Sequence, residues 1–443
     1  MKILIIGRWG KTHALAKALA KSRDAELYSF MDRNNSGIAE LSAGYRIGDI
    51  TDIPAIEKYV QEEGIEMILV VPEMSLQQEV TTYFNNKGIP SIGPSEFCAR
   101  LETDKGFTRK LMKENNIDGS PGFKVFFDKR EAVYFIRNYP GPVAVKPAGV
   151  TSGDGVKVMG IQLADKDDAV AYAEEIFDKA IGGIPSVIIE EKIEGEEYTI
   201  QMLSDGKTVL TMPAVRDYKL LEEGDAGLNT PGMGSCSYPD HLLPFLSREN
   251  FDKSVEMVEK ILDVLREKHG EKYKGFLSGQ YMLTRDGIKL VEINVRPGDS
   301  EILNITPILK TDFLEICKAL AEERLDEIEP EFENKATVCK YVVPEGFPTP
   351  SGHFKLKIDH DCLNKTGAHL FQSCFEVQEN VFEPSPRLFA LTGVGDCLES
   401  AYDQCEKAIS CIKGDKIFHR KDIGTPELAS QYEKYKLLPD EEL

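Results

Sequence analysis

The chain has 443 residues, too many for one ordinary domain and enough to bury several cores. Its net charge of −21 and pI near 4.9 argue against nucleic acid or an anionic membrane as partner, since both reward a basic face, but leave room for a phosphorylated small molecule. No apolar run approaches the roughly 20 residues of a membrane span, the opening MKILIIGRWGK reads as strand and loop rather than signal peptide, and the 9 irregularly spaced cysteines without a C-x-x-C pair point to reduced, structural thiols; a cytoplasmic protein is expected.

Residues 1–104 alternate short apolar runs with helical periodicity. Lys2–Ile6, Ala25–Phe30, Met67–Val71 and Pro90–Ile92 read as strands, and Thr12–Lys21, Ile53–Glu62 and Leu76–Lys87 as helices. This alternation predicts a doubly wound parallel sheet, with ligands beyond the carboxyl ends of its strands, at Gly7-Arg8-Trp9-Gly10, Pro72-Glu73 and Gly93-Pro94. Trp9 occupies the middle glycine position of a dinucleotide fingerprint, which argues against a nicotinamide dehydrogenase.

A helix from about Asp104 to Asn115 opens the second region. Strand-like Lys124–Val125, Val143–Val145, Val156–Val158 and Val187–Glu190 then alternate with helical Lys129–Asn138 and Asp167–Asp178, which gives a small α+β unit. Strands follow at Tyr198–Met202 and Thr208–Met212, an amphipathic helix at Phe251–Glu267, a hairpin within Phe276–Glu301 and a helix at Ile308–Glu323. From about Glu327 glutamate and proline cluster, then short strands dominate through Leu391 and a helix covers Asp396–Ile412, so a boundary falls near 330.

Four segments carry chemistry. Gly149-Val150-Thr151-Ser152-Gly153-Asp154-Gly155 follows a strand that ends at Lys146; its glycines let backbone amides approach an anion, and the lysine adds a point charge, although the terminal Gly-Lys-Ser/Thr of a Walker A loop is missing. Glu190-Glu191-Lys192-Ile193-Glu194-Gly195-Glu196-Glu197 is either a solvated acidic turn or a set of carboxylates able to accept from a ribose. Gly227-Leu228-Asn229-Thr230-Pro231-Gly232-Met233-Gly234 is expected as a long irregular loop. In the hairpin, a three-residue loop Arg285-Asp286-Gly287 sets Gln280 across from Glu292, with Asn294 on the same face. One carboxylate and two amides are ligands that suit a hard divalent cation.

In this order the segments resemble the phosphoribosylamine–glycine ligase family, glycinamide ribonucleotide synthetases of the ATP-grasp superfamily. The resemblance runs from GRWGKTHALAKAL through LETDKGFTRKLM, VAVKPAGVTSGDGV, IIEEKIEGEE, AGLNTPGMGSCSYP and LVEINVRPGDSE to FHRKDIG. It implies an N-terminal substrate domain (1–104), a two-part ATP-grasp core (105–330, with 118–195 as a closing lid) and a C-terminal mixed α+β domain (331–443). It implies ATP held by Lys105, Lys146, Gly153, Gly155, Glu190, Glu191, Ile193 and Glu197, with Glu190 at the adenine amine and Glu197 at the ribose. Mg2+ or Mn2+ would sit on Gln280, Glu292 and Asn294, and Arg296 would polarise the γ-phosphate and the glycine carboxylate. Gly10, Glu73, Asn229, Gly232, Met233 and Gly234 would line the phosphoribosylamine site, with Gly298 alongside; Asp217 and Asp299 would take the glycine amine. The implied reaction joins glycine to 5-phosphoribosylamine through glycyl phosphate, and a monomer or homodimer is expected. The alternative is a sibling ATP-grasp enzyme that uses formate or bicarbonate. Asp154, Pro231, Pro297 and Gln280 depart from the family pattern.

Overall fold

A computed structural model of the chain describes residues 1–149, 155–383, 385–414 and 416–430. The apolar runs Lys2–Ile6 and Met67–Val70 are buried along nearly their whole length, as central parallel strands between two helical layers must be. They form the middle of a five-stranded, all-parallel sheet in the order Gly44–Ile47, Glu26–Met31, Lys2–Ile6, Met67–Val70, Ser91–Ile92. The edge strand Gly44–Ile47 carries little apolar pattern and was not expected from the sequence. Helix Gly10–Ala20 starts just beyond the carboxyl end of the first strand, which brings its amino terminus to the ligand side of the sheet. The single helix expected over Leu76–Lys87 is two, Glu73–Gln77 and Val80–Asn86, because Glu79 takes the left-handed conformation between them.

The small unit is an antiparallel sheet in the order Phe123–Phe126, Val187–Glu191, Val143–Pro147, Lys157–Val158. Asp128 and Asp165 cap its helices Lys129–Asn138 and Lys166–Lys179 by accepting from first-turn amides. Its apolar side chains, among them Phe126, Ile136, Val145, Ile176 and Ile189, form a core of their own.

Of the remaining strands, Glu376–Gln378, Val381–Phe382, Phe354–Ile358 and Ile412–Gly414 form a four-stranded sheet in that order, and the others build one nine-stranded sheet. Its order is Gly287–Asn294, Lys274–Thr284, Gly195–Asp205, Val209–Glu222, Ala226–Ser237, Ala336–Pro344, Phe389–Gly395 and His369–Gln372, with Ile417–Phe418 added beside Ala336–Pro344. Ala226–Ser237 pairs antiparallel with Ala336–Pro344, so the sheet runs straight across the compositional break near 330. A single apolar core joins this sheet to the N-terminal one.

Three further expectations change. Gly227–Gly234 is not an irregular loop: it lies within the strand Ala226–Ser237, which pairs with Val209–Glu222 through two register shifts. Ile308–Glu323 is not one helix but parts of two, Glu301–Ile308 and Phe313–Ala321, with Asp312 capping the second. Cys362 and Cys411 are joined by a disulfide, so not every thiol is reduced; their separation of 49 residues gives no spacing signal. Among the described residues no helix is long and apolar enough to cross a membrane.

Candidate active site

The hairpin reaches the expected pairing by another route. Arg285 and Asp286 alone make the turn, and Gly287, at φ 89°, pairs with Thr284. From there to Tyr281↔Leu290 the register would set Gln280 against Val291. One extra residue, Val291, then bulges out, and Gln280 faces Glu292 after all, with Ser278 facing Asn294. Asn294 Nδ2 lies 3.5 Å from Glu292 Oε1. Gln280 donates its amide nitrogen to Glu197, which turns its oxygen to the other side. Burial favours a neutral Glu292, yet Lys105, Lys219, Lys146 and Arg296 around it hold its pKa below the ordinary value. The described residues contain no group of three or more His, Cys, Asp or Glu that could hold a metal unaided. A lone carboxylate with two amides inside a ring of cations fits a different arrangement: a divalent ion that arrives with phosphate oxygens as its remaining ligands.

The nucleotide residues Lys146 and Glu190 lie on the face of the small sheet opposite its apolar core. Lys146 and Glu190 sit on neighbouring strands and are almost fully buried, with Lys146 Nζ 2.6 Å from Glu190 Oε2. The other oxygen of Glu190 accepts from Arg109 Nε at 2.6 Å. Burial raises the Glu190 pKa, but Arg109 and Lys146 outweigh it and hold the carboxyl down to about 2. Both Glu190 oxygens are thus engaged by cations, so an adenine amine would have to displace one of them. Lys105 opens the helix Lys105–Glu114, and its Nζ lies 3.4 Å from the Gly149 carbonyl. Glu191 accepts from the Gly122 amide at 2.7 Å, and Ile193 lies in the link to the next strand. Glu197 accepts from Lys219 Nζ at 2.6 Å as well as from Gln280. Gly155 is buried, and its carbonyl accepts from Tyr172 at 2.8 Å; Gly153 and Asp154 lie outside the described residues.

Two residues beyond Asn294, Arg296 enters the second half of the site. Its Nε lies 3.1 Å from Glu102 Oε1 and 3.2 Å from Glu73 Oε2. Glu102 also accepts from the Val295 amide at 2.8 Å, so it fixes both the backbone and the guanidinium at this point. Lys11 Nζ approaches Glu73 to 3.7 Å; burial, then Arg296, lower its pKa to about 8. Gly10 donates to Ser373 Oγ at 2.9 Å, and a Cβ there would lie 2.6 Å from both Ser373 Oγ and Tyr341 Oη. Tyr341 donates to Asp299, whose other oxygen pairs with Arg387 at 3.2 Å. Arg387 also donates to the Pro231 carbonyl at 3.0 Å. Trp9 stands aside from this cluster, packed between Arg8 and Phe375.

Asp217 is half-buried, but its Oδ1 is shielded from solvent and has no hydrogen-bond partner. Burial, then the nearby Glu301 carboxylate, push its pKa well above the usual range. A Cβ on Gly232 would lie 3.5 Å from that oxygen and 3.6 Å from Arg387 Nη1, while one on Gly298 would meet the Glu301 carboxylate at 2.6 Å. The two glycines therefore leave room beside the carboxylates of Asp217 and Glu301 and the Asp299 carbonyl, with an unanswered acceptor: a setting that would gain from an ammonium. Gly298 itself donates to Gln201 Oε1 at 2.9 Å. Asn229 pairs with Leu220 further along the strand. Met233 and Gly234 do not join the pocket: Met233 is fully buried in the core, and a Cβ on Gly234 would meet the Cys339 carbonyl at 2.2 Å.

Sequence reading missed Lys11, Glu102, Arg109, Lys219, Glu301, Tyr341 and Arg387. Strand parity could have found Lys219, which shares a face with Asp217. The others act on partners far away in sequence, where no spacing signal exists.

Models of phosphoribosylglycinamide synthetase match nearly the whole chain: the N domain over residues 1–102, the ATP-grasp (A) domain over 103–302 and the C domain over 337–426. The phosphoribosylamine–glycine ligase of Methanopyrus kandleri is 44% identical over 435 residues, which cover 96% of each chain. That of Methanococcus maripaludis strain S2 is 43% identical over 97% of each. Among solved structures, the phosphoribosylamine–glycine ligase of Thermotoga maritima superposes with a TM-score of 0.80 at 23% identity, over 96% of this chain and 100% of that one. The biotin carboxylase domain of Hydrogenobacter thermophilus 2-oxoglutarate carboxylase, crystallised with MgADP and bicarbonate, gives 0.69 at 16% identity, over 98% of this chain and 93% of that one. Likeness at those identities speaks for the fold alone.

Proposed function

The chain belongs to the phosphoribosylglycinamide synthetase family, and from that premise we propose how its residues share the work. It is an ATP-dependent carbon–nitrogen ligase of purine biosynthesis that joins glycine to 5-phosphoribosylamine. The observation that carries the division of labour is one strand and its extension. Glu292 lies in the cationic ring of Lys105, Lys146 and Lys219 with Asn294 beside it, and Arg296, two residues past Asn294, reaches Glu73 and Glu102 on helices of the N-terminal region. The nucleotide side and the substrate side of the site therefore meet at Arg296.

In this reading Lys105, Lys146 and Lys219 bind the triphosphate, and Glu190, Glu191, Ile193 and Glu197 face the nucleoside. Gln280, Glu292 and Asn294 would hold Mg2+ or Mn2+, which when bound neutralises charge on the β- and γ-phosphates. Asp217 and Asp299 take the glycine ammonium, and Arg296 orients its carboxylate against the γ-phosphorus. A carboxylate oxygen attacks that phosphorus; the new O–P bond forms as the bridging P–O bond to ADP breaks, giving glycyl phosphate. The amine of 5-phosphoribosylamine, held near Gly10, Glu73, Asn229 and Gly232, then attacks the acyl carbon. Inorganic phosphate leaves, the amine loses a proton, and glycinamide ribonucleotide results. No protein nucleophile is required; positioning and charge carry both steps. Residues 118–195 close as a lid that keeps water from the acyl phosphate, between a substrate domain at 1–104 and a C-terminal domain at 331–443.

A coupled ADP-release assay tests this. ADP formation must depend on both glycine and 5-phosphoribosylamine. Turnover with formate or bicarbonate in place of glycine would overturn it in favour of a sibling enzyme.

A further inference from the structure

Arg109 has no place in that scheme, yet its contacts are unusually divided. It lies on the buried face of the helix Lys105–Glu114, with 3% of its surface exposed. Its three donor positions serve two sheets. Nε donates to Glu190 on the small sheet at 2.6 Å, while Nη1 and Nη2 donate to the carbonyls of Leu290 and Val291 on the large sheet, at 2.9 and 2.7 Å. Those carbonyls are not arbitrary. Leu290 is the last residue in register with the turn, and Val291 is the one that bulges.

The bulge decides which way the next residues point. Side chains alternate strictly along a strand, so a register one residue shorter would turn Glu292 and Asn294 to the opposite face. A bulged residue also loses its regular ladder partner. The guanidinium supplies replacement donors at that point, in a planar fork that fits two adjacent carbonyls and a carboxylate at once. An ammonium cannot reach all three from one position.

We infer that Arg109 is a positioning residue that sets the metal-bearing strand and the nucleotide lysine in one geometry. At one end it holds the bulge that aims Glu292 and Asn294. At the other it holds Glu190, whose second oxygen fixes Lys146 at 2.6 Å. The small sheet and the large sheet are thereby set relative to each other at the point where a nucleotide phosphate tail would bridge them. This rests on the proposed roles of Glu292, Asn294 and Lys146.

The experiment is equilibrium binding by the full-length protein, with Mn2+ followed by electron paramagnetic resonance in the presence of ADP, and ADP followed by calorimetry at saturating Mg2+. Arg109→Lys keeps the charge and loses the fork. It should weaken Mn2+ binding by about tenfold or more, in the range usual for groups that support metal ligands, and weaken ADP binding with it, while KM for glycine stays within about twofold. Glu190→Gln keeps the bulge contacts and loosens the other end; it should weaken ADP binding more than Mn2+ binding, and it carries the test if Arg109→Lys does not fold. A lower melting temperature with unchanged Mn2+ and ADP affinities in Arg109→Lys would reduce Arg109 to a packing role and overturn the inference. Glu292→Ala is measured alongside. If it loses Mn2+ binding while Arg109→Lys does not, only the inference falls; if it keeps Mn2+ binding, the metal assignment falls and takes the inference with it.

Discussion

The small sheet of residues 123–191 and the nine-stranded sheet beside it serve one site from cores that do not merge. In the larger body, strands from the first, middle and last thirds of the chain share a single apolar core, and the sheet passes through the expected boundary near 330 without a gap. The small sheet buries its own side chains against its own two helices. The two are joined near the site by polar contacts: Lys105 to the Ala148 carbonyl, Arg109 to Glu190, and the Glu292 surroundings. Apolar contact resists displacement over its whole area, whereas a few hydrogen bonds can be exchanged for a ligand's. The lid movement proposed for the small unit would be easier with contacts of the second kind.

Variants can separate the two behaviours, and the largest effect expected belongs to neither core. Glu292→Ala should cut ADP release on the order of a thousandfold, the scale of losing a key electrostatic group, with an unchanged melting temperature. A matched fall in melting temperature would mean that this strand end is part of the body's stability. Next come paired cavities. Leu391→Ala in the body should cost about 2–5 kcal/mol and lower the main unfolding transition. Ile176→Ala should cost a similar amount locally, seen as faster amide exchange within 123–191 and a raised KM for ATP, with the main transition in place. One shared transition for both would merge the two cores.

Reduction of the Cys362–Cys411 bond, or Cys362→Ser, should destabilise the body by about 2–4 kcal/mol on the chain-entropy scale and leave amide exchange in the small sheet untouched. The smallest effect has the opposite sign. Burial and Glu301 raise the Asp217 pKa. A carboxyl with a raised folded pKa contributes stability that is complete below its unfolded pKa and lost as pH rises through the folded one. At neutral pH Asp217 therefore weakens the free protein. Asp217→Asn should raise its melting temperature near pH 7, with the gain shrinking toward about pH 4, while KM for glycine rises. A variant less stable than wild type at neutral pH would contradict the pKa direction.

Much was legible from the chain alone because its signals are local. Buried apolar runs at Lys2–Ile6 and Met67–Val70 marked the parallel sheet. The alternation around Glu292 and Asn294 put both on one face, and the ordered motifs from Gly7 to Arg420 pointed to the family. The sequence even paired Gln280 with Glu292, although by a turn one residue longer than the real one; the compensating bulge at Val291 has no local signature. Glycines also serve packing: a Cβ on Gly234 would meet the Cys339 carbonyl at 2.2 Å, a constraint that the sequence does not display. The clamp on Arg296 by Glu102, the hold of Arg109 on Glu190 and Val291, and the acceptor left open at Asp217 exist only in three dimensions. Periodicity and turn chemistry are written within a few residues, whereas the pairing of buried charges depends on which distant strands the core brings together.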